Sequence, residues 1–94
     1  MALETEAWDS ANFLDTPEAI AAYIEAAFED GDPSLITHAL GVVARSRGMS
    51  QIARTAGVSR EALYKALTPN GDPKLSTFLS VLKALGMKVT TRAA

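Results

Sequence analysis

Residues 49 to 67 read Met49-Ser-Gln-Ile-Ala-Arg-Thr-Ala-Gly-Val-Ser-Arg-Glu-Ala-Leu-Tyr-Lys-Ala-Leu67, and this stretch decides the fold. Two short helices crossing at a steep angle need three things: a small residue at the crossing, a Gly able to take positive φ in the turn, and apolar residues to lock the second helix in place. Ala53 is the small residue and Gly57, four later, supplies the turn. Val58 and Leu63 plug the interior, and Ile52, Ala56 and Ala66 complete the seam. Ser59 is placed to cap the second helix by accepting from a backbone N–H two or three residues on, which aims that helix's positive end outwards. The pattern is that of a helix-turn-helix.

The outward residues of the second helix are then Arg60, Glu61, Tyr64 and Lys65. They suit a DNA major groove, which admits an α-helix and presents a distinct donor and acceptor pattern for each base pair. Arg60 fits a bidentate contact to guanine, Glu61 fits cytosine N4, and Tyr64 and Lys65 fit thymine methyls or phosphates. Ser50 and Gln51, at the start of the first helix, are placed for phosphates through side chains and free N–H groups, with Arg54 and Lys74 flanking the same surface. The plainer alternative is a tight helical hairpin in which these charges are solvated and Glu61 pairs with Lys65 across one turn, worth only about 0.2 to 0.5 kcal/mol.

Outward from the motif, the chain reads as five helices. Thr16-Pro17 is a helix start, followed by the stripe Ile20, Tyr23, Ile24, Ala27 and Phe28 as far as Gly31. Asp32-Pro33 repeats the device, and Leu35, Ile36, Ala39, Leu40 and Val43 give a second stripe that Gly48 ends. The motif supplies the third and fourth helices, the fourth spanning residues 60–67. After the turn formers of residues 68–73, a fifth helix over 75–85 shows Leu75, Phe78, Leu79, Leu82 and Leu85 on one side. Residues 87–92, Met-Lys-Val-Thr-Thr-Arg, alternate apolar and polar and predict one short β-strand. Residues 1–15 show no sustained period and form an N-terminal arm, leaving 16–94 as a single domain.

Composition agrees. A chain of 94 residues buries only about 60 to 65% of its unfolded surface and cannot divide that between two cores. Ala occurs 17 times, which favours helix; the class is mainly α. Charge is segregated: residues 1–44 hold nine acids and no Lys or Arg, whereas residues 45–94 hold nine bases against Glu61 and Asp72, for a net −2. One part of such a chain suits a polyanion and the other something different, such as a basic partner; the bland reading is two solvated surfaces.

Several functions are disfavoured. With no Cys there is neither disulfide nor thiolate chemistry, which fits a reducing cytoplasm. His38 is the only histidine and has no convergent ligand set, so no metal or other cofactor is expected. The serines lack a usable base, and no Gly-rich phosphate loop occurs, so no enzyme is expected. Neither a membrane-spanning apolar run nor a signal peptide is present, which again points to the cytoplasm.

The run from Gly48 to Leu67, then Asn70-Gly-Asp-Pro-Lys-Leu75 and Val81-Leu-Lys-Ala-Leu-Gly-Met87, resembles the addiction-module antidote proteins, the antitoxins of bacterial toxin–antitoxin pairs. Asp15-Thr-Pro-Glu18, Ala21-Ala-Tyr-Ile-Glu-Ala-Ala27 and Asp32-Pro33 are similar to that family too, so the likeness spans roughly residues 13–90, with Ser59 to Tyr64 its most specific part. The resemblance implies a five-helix, lambda-repressor-like helix-turn-helix domain and a homodimeric repressor of its own operon. It also implies a partner toxin, typically small, basic and RNA-cleaving. Met49 departs from the pattern, standing where many repressor-like relatives carry a phosphate-binding Gln.

On this likeness the acidic first helix, with Glu18, Glu25, Glu29 and Asp30 outside its stripe, suits a basic toxin, or is ordinary solvated surface. Trp8 and Phe13 either fold back on the domain or anchor a partner. A two-fold dimer is expected to use the strand, helix 75–85, or both, because paired recognition helices must stand about 34 Å apart. The rival readings are a module that neutralises a toxin with weak or no DNA binding, and a phage-type regulator with no toxin.

Overall fold

The computed structural model describes residues 15–94. Five helices follow in order, α1 Pro17–Asp30, α2 Pro33–Arg47, α3 Met49–Ala56, α4 Arg60–Ala66 and α5 Leu75–Ala84. The mainly helical class is as expected, and the helix ends fall within a residue or so of the predicted ones. The arm, with Trp8 and Phe13, lies outside the described residues except at Asp15.

Local chemistry explains where the helices begin. Thr16 Oγ1 accepts from the Ala19 N–H at 3.1 Å and Asp32 Oδ1 from the Ser34 N–H at 3.0 Å. In both cases Pro occupies the first helical position, where its missing N–H costs nothing.

The core joins Ile20 and Ile24 of α1, Leu40 and Val43 of α2, Ile52 and Ala53 of α3, Leu63 of α4, and Val81 and Leu82 of α5, with Leu67 and Leu85 at helix ends. Helix α3 packs broadly on α5, and α1 on α2. Glycine is required at position 41, where α2 passes under the end of α4. A Cβ there would stand 2.6 Å from the backbone carbonyl oxygen of Leu67.

Two expected stripes are only partly buried. Phe28, read as core, is 36% exposed and stacks on Phe78 with ring centroids 6.1 Å apart. On α5, Leu82 and Leu85 are buried, but Leu75 and Leu79 are 71% and 44% exposed. The other helices cover only the second half of that stripe.

The predicted C-terminal strand is absent: no β-strand occurs among the described residues. A strand exists only through ladder hydrogen bonds, and no second extended segment among the described residues supplies them. Instead the Met87 N–H donates to the Leu82 carbonyl at 2.9 Å. The tail from Met87 to Thr90 then lies beside α1, sharing a cleft of about 190 Å³ with Ala21, Ile24, Glu25, Phe28 and Leu82.

Candidate nucleic-acid interface

The turn between α3 and α4 is built from three residues, Gly57, Val58 and Ser59. Gly57 takes φ 78°, in the left-handed region that a side chain disfavours. Its N–H donates to the Arg54 carbonyl at 3.2 Å, and the Val58 N–H reaches the Ala53 carbonyl at 3.0 Å. This pair of bonds is the Schellman arrangement, which satisfies carbonyls that a helix end otherwise leaves unpaired. Ser59 Oγ accepts from the Ala62 N–H at 3.0 Å, capping α4 as expected. Below the turn Ala53 and Leu63 are buried and Val58 is half-buried, so α4 is held on α3 by the seam that the sequence assigned.

Above the turn, Arg45, Gly48, Met49, Ser50, Gln51, Arg54, Arg60 and Tyr64 line one open concavity of about 620 Å³ with no carboxylate among them. Helix α3 starts at this concavity without a side-chain cap on its first turn, so its leading N–H groups add to the donors of Ser50 and Gln51. Met49 is 4% exposed and serves the core.

Arg60 and Tyr64 stand one turn apart on α4. The guanidinium carbon of Arg60 lies 5.4 Å from the centroid of the Tyr64 ring, and its Nη2 donates to the Tyr64 hydroxyl at 3.5 Å, a long and weak bond. This hydrogen bond raises the Arg60 pKa above its ordinary value, with smaller help from the nearby Glu61 carboxylate. Arg60 is therefore a permanent cation laid along an aromatic face, with most of its donors free.

Five of the nine expected site residues, Ser50, Gln51, Arg54, Arg60 and Tyr64, come together here. Lys65 and Lys74 do not: they line a separate groove with Val58, Ala62, Ala66, Thr68, Asn70, Thr77 and the acid Asp72 on the other side of α4. Glu61 is exposed between the two, and the Ser59 hydroxyl is taken up by its cap. Helical spacing accounts for the division, since Tyr64 falls about 40° around the axis from Arg60 and Lys65 about 140°. Arg45 is the residue that sequence reasoning missed. It belongs to the last turn of α2, and only the packing of α2 on α3 carries it to the concavity. His38 is exposed, and no group of three or more His, Asp or Glu able to hold a metal occurs among the described residues. None of the described helices is long and apolar enough to cross a membrane.

Fold and site define a small helical protein with a cationic, carboxylate-free concavity over a tight interhelical turn. The chain belongs to the family described as probable addiction module antidote protein, whose model matches residues 4–93. It is also similar to an uncharacterized protein of Haemophilus influenzae, 46% identical over 81 residues, covering 86% of this chain and 84% of the relative. No solved structure matches.

Proposed function

We propose that this chain is the antitoxin of a toxin–antitoxin module and a sequence-specific DNA-binding repressor of its own operon, acting as a cytoplasmic homodimer without enzymatic activity. Helices α3 and α4 are its helix-turn-helix, of lambda-repressor type, and α4 is the recognition helix in the major groove. Arg60, Glu61, Tyr64 and Lys65 read bases. Ser50, Gln51 and Arg54, joined by Arg45, hold phosphates on one flank, and Lys74 holds them on the other, while Ser59 fixes the tip of α4.

The observation that carries this reading is the meeting of Arg45, Arg54 and Arg60 with Ser50, Gln51 and an uncapped helix start in one concavity that no acid lines. Three cations around a concavity that no carboxylate lines, with amide and hydroxyl donors between them, match a phosphate backbone beside a readable groove. Family membership supplies the antitoxin role and implies a toxin. Helix α1 exposes Glu18, Glu25, Glu29 and Asp30 and carries no Lys or Arg, a surface that would steer a basic toxin.

A gel-shift scan of the DNA upstream of the gene, run at two salt concentrations, tests the reading. A specific fragment should be retained over random duplex, with affinity falling steeply as salt rises. Equal binding to every fragment, or none, would overturn it.

A further inference from the structure

Arg60 and Tyr64 share one face of α4, and their side chains are joined. The Arg60 guanidinium carbon lies 5.4 Å from the Tyr64 ring centroid, and Nη2 donates to the Tyr64 hydroxyl at 3.5 Å. Both remain open to solvent, with Tyr64 39% exposed. A cation resting on an aromatic ring is already partly ordered, so less freedom is lost when it forks onto a pair of acceptors.

The donors can be counted. A guanidinium offers two forks, one through Nε and Nη2 and one through Nη1 and Nη2, and each uses one of the two Nη2 hydrogens. The Tyr64 hydroxyl takes one of these, which leaves one fork whole. That fork matches O6 and N7 of guanine. The same contact turns the hydroxyl towards Arg60, so ring carbon is the surface that Tyr64 offers a ligand. The apolar group on the floor of a major groove is the methyl at C5 of a pyrimidine.

Spacing decides which bases the two side chains meet. Residues one turn apart stand about 6 Å apart along a helix, and a recognition helix lies along the groove, where base pairs follow one another every 3.4 Å or about that. Long side chains lean back towards the helix N-terminus, which shortens the separation to the 5.4 Å seen between guanidinium and ring. The two therefore fall on neighbouring base pairs.

We infer that Arg60 and Tyr64 form one reading unit for a two-base step, a guanine beside a 5-methylpyrimidine. Arg60 forks onto the guanine, and the Tyr64 ring packs on the neighbouring methyl while holding the guanidinium in place. The inference rests on the repressor reading and adds to it the step that the site selects. Thymine and 5-methylcytosine carry the same methyl, and the test separates them.

The probe is the upstream fragment retained by the full chain, altered one base at a time. Replacing a guanine by 7-deazaguanine removes only its N7 acceptor, and replacing thymine by deoxyuridine removes only the methyl; neither touches the protein. At one guanine the first change should weaken binding about fivefold. At a pair next to that guanine the second should weaken it about fourfold. Tyr64→Ala, with unchanged helical circular dichroism, should abolish the uracil loss, and Tyr64→Phe should keep it. Arg60→Ala should abolish the 7-deazaguanine loss and also shrink the uracil loss, because the ring is no longer held against a partner. If uracil has no effect but 5-methylcytosine beside the guanine strengthens binding about fourfold, the methyl belongs to methylated cytosine.

The proposal is overturned by a fragment on which neither methyl matters next to the guanine, by a methyl effect that survives Tyr64→Ala, or by a uracil loss that Arg60→Ala leaves unchanged. In each of these cases the repressor reading stands, since the fragment is still retained. If no fragment is retained over random duplex, both fall together.

Discussion

Leu67 and Gly41 are in contact through backbone alone: the Leu67 carbonyl oxygen occupies the space that a Cβ on residue 41 would need, 2.6 Å from the Cβ position. Residue 41 lies within α2 and Leu67 closes α4, so this approach fixes how far α4 can settle on the helix beneath it. Gly41→Ala improves helix propensity by about 1 kcal/mol, but the clash is with backbone and cannot be relieved by a rotamer. Overpacking of this kind costs about 1 to 3 kcal/mol. Net destabilisation is expected, read as a fall in thermal midpoint of about 4 to 8 °C per kcal/mol.

Gly57→Ala probes a different cause. Nothing lies within 4 Å of a Cβ at that position, but φ is +78°. The expected loss of about 1 to 2 kcal/mol is backbone strain alone, and Gly57→Asn, which tolerates the left-handed region better, should lose less. Denaturant midpoints of the two variants decide it; equal losses would discount the strain argument.

Removing the Ser59 cap should cost about 1 kcal/mol. The Oγ bond to the Ala62 N–H is the side-chain cap at the start of α4, so Ser59→Ala should lower the thermal midpoint and also weaken DNA retention by loosening the tip that carries Arg60.

Arg60→Ala should cost about 1 to 3 kcal/mol on the specific fragment and relax base preference at one position. Tyr64→Phe removes only the 3.5 Å bond to the hydroxyl and keeps the ring beneath the guanidinium, so it should change affinity little. Equal losses on specific and random duplex for Arg60→Ala would show a phosphate contact in place of base readout.

For Arg45, Arg54 and Lys74, replacement by Ala should weaken every sequence alike and reduce the slope of log affinity against log salt by about 1 each. Titrations at several salt concentrations measure this. An Arg45→Ala variant with an unchanged slope would remove that residue from the interface.

What the sequence disclosed was mostly local. Thr16, Asp32 and Ser59 act through hydrogen bonds two or three residues away, so helix starts were readable, as was the Ala53, Gly57 and Leu63 seam. What it concealed depended on other elements. Periodicity marked Leu75 and Leu79 as apolar without revealing that no described helix covers them. Alternation in residues 87–92 suggested a strand, but a strand needs a partner and that segment met α1 instead. Arg45 could not be placed because its neighbours in the concavity come from α3 and α4, and Lys65 was grouped with Arg60 although five residues of helix carry it well around the axis.

The three-residue turn at Gly57 closes one helix end and opens the next with its capping bonds already made. A surface assembled in this way has nothing left to fold when a ligand arrives. Encounter should therefore proceed as rigid docking, without a lag from chain ordering, and with a heat-capacity change limited to the area covered.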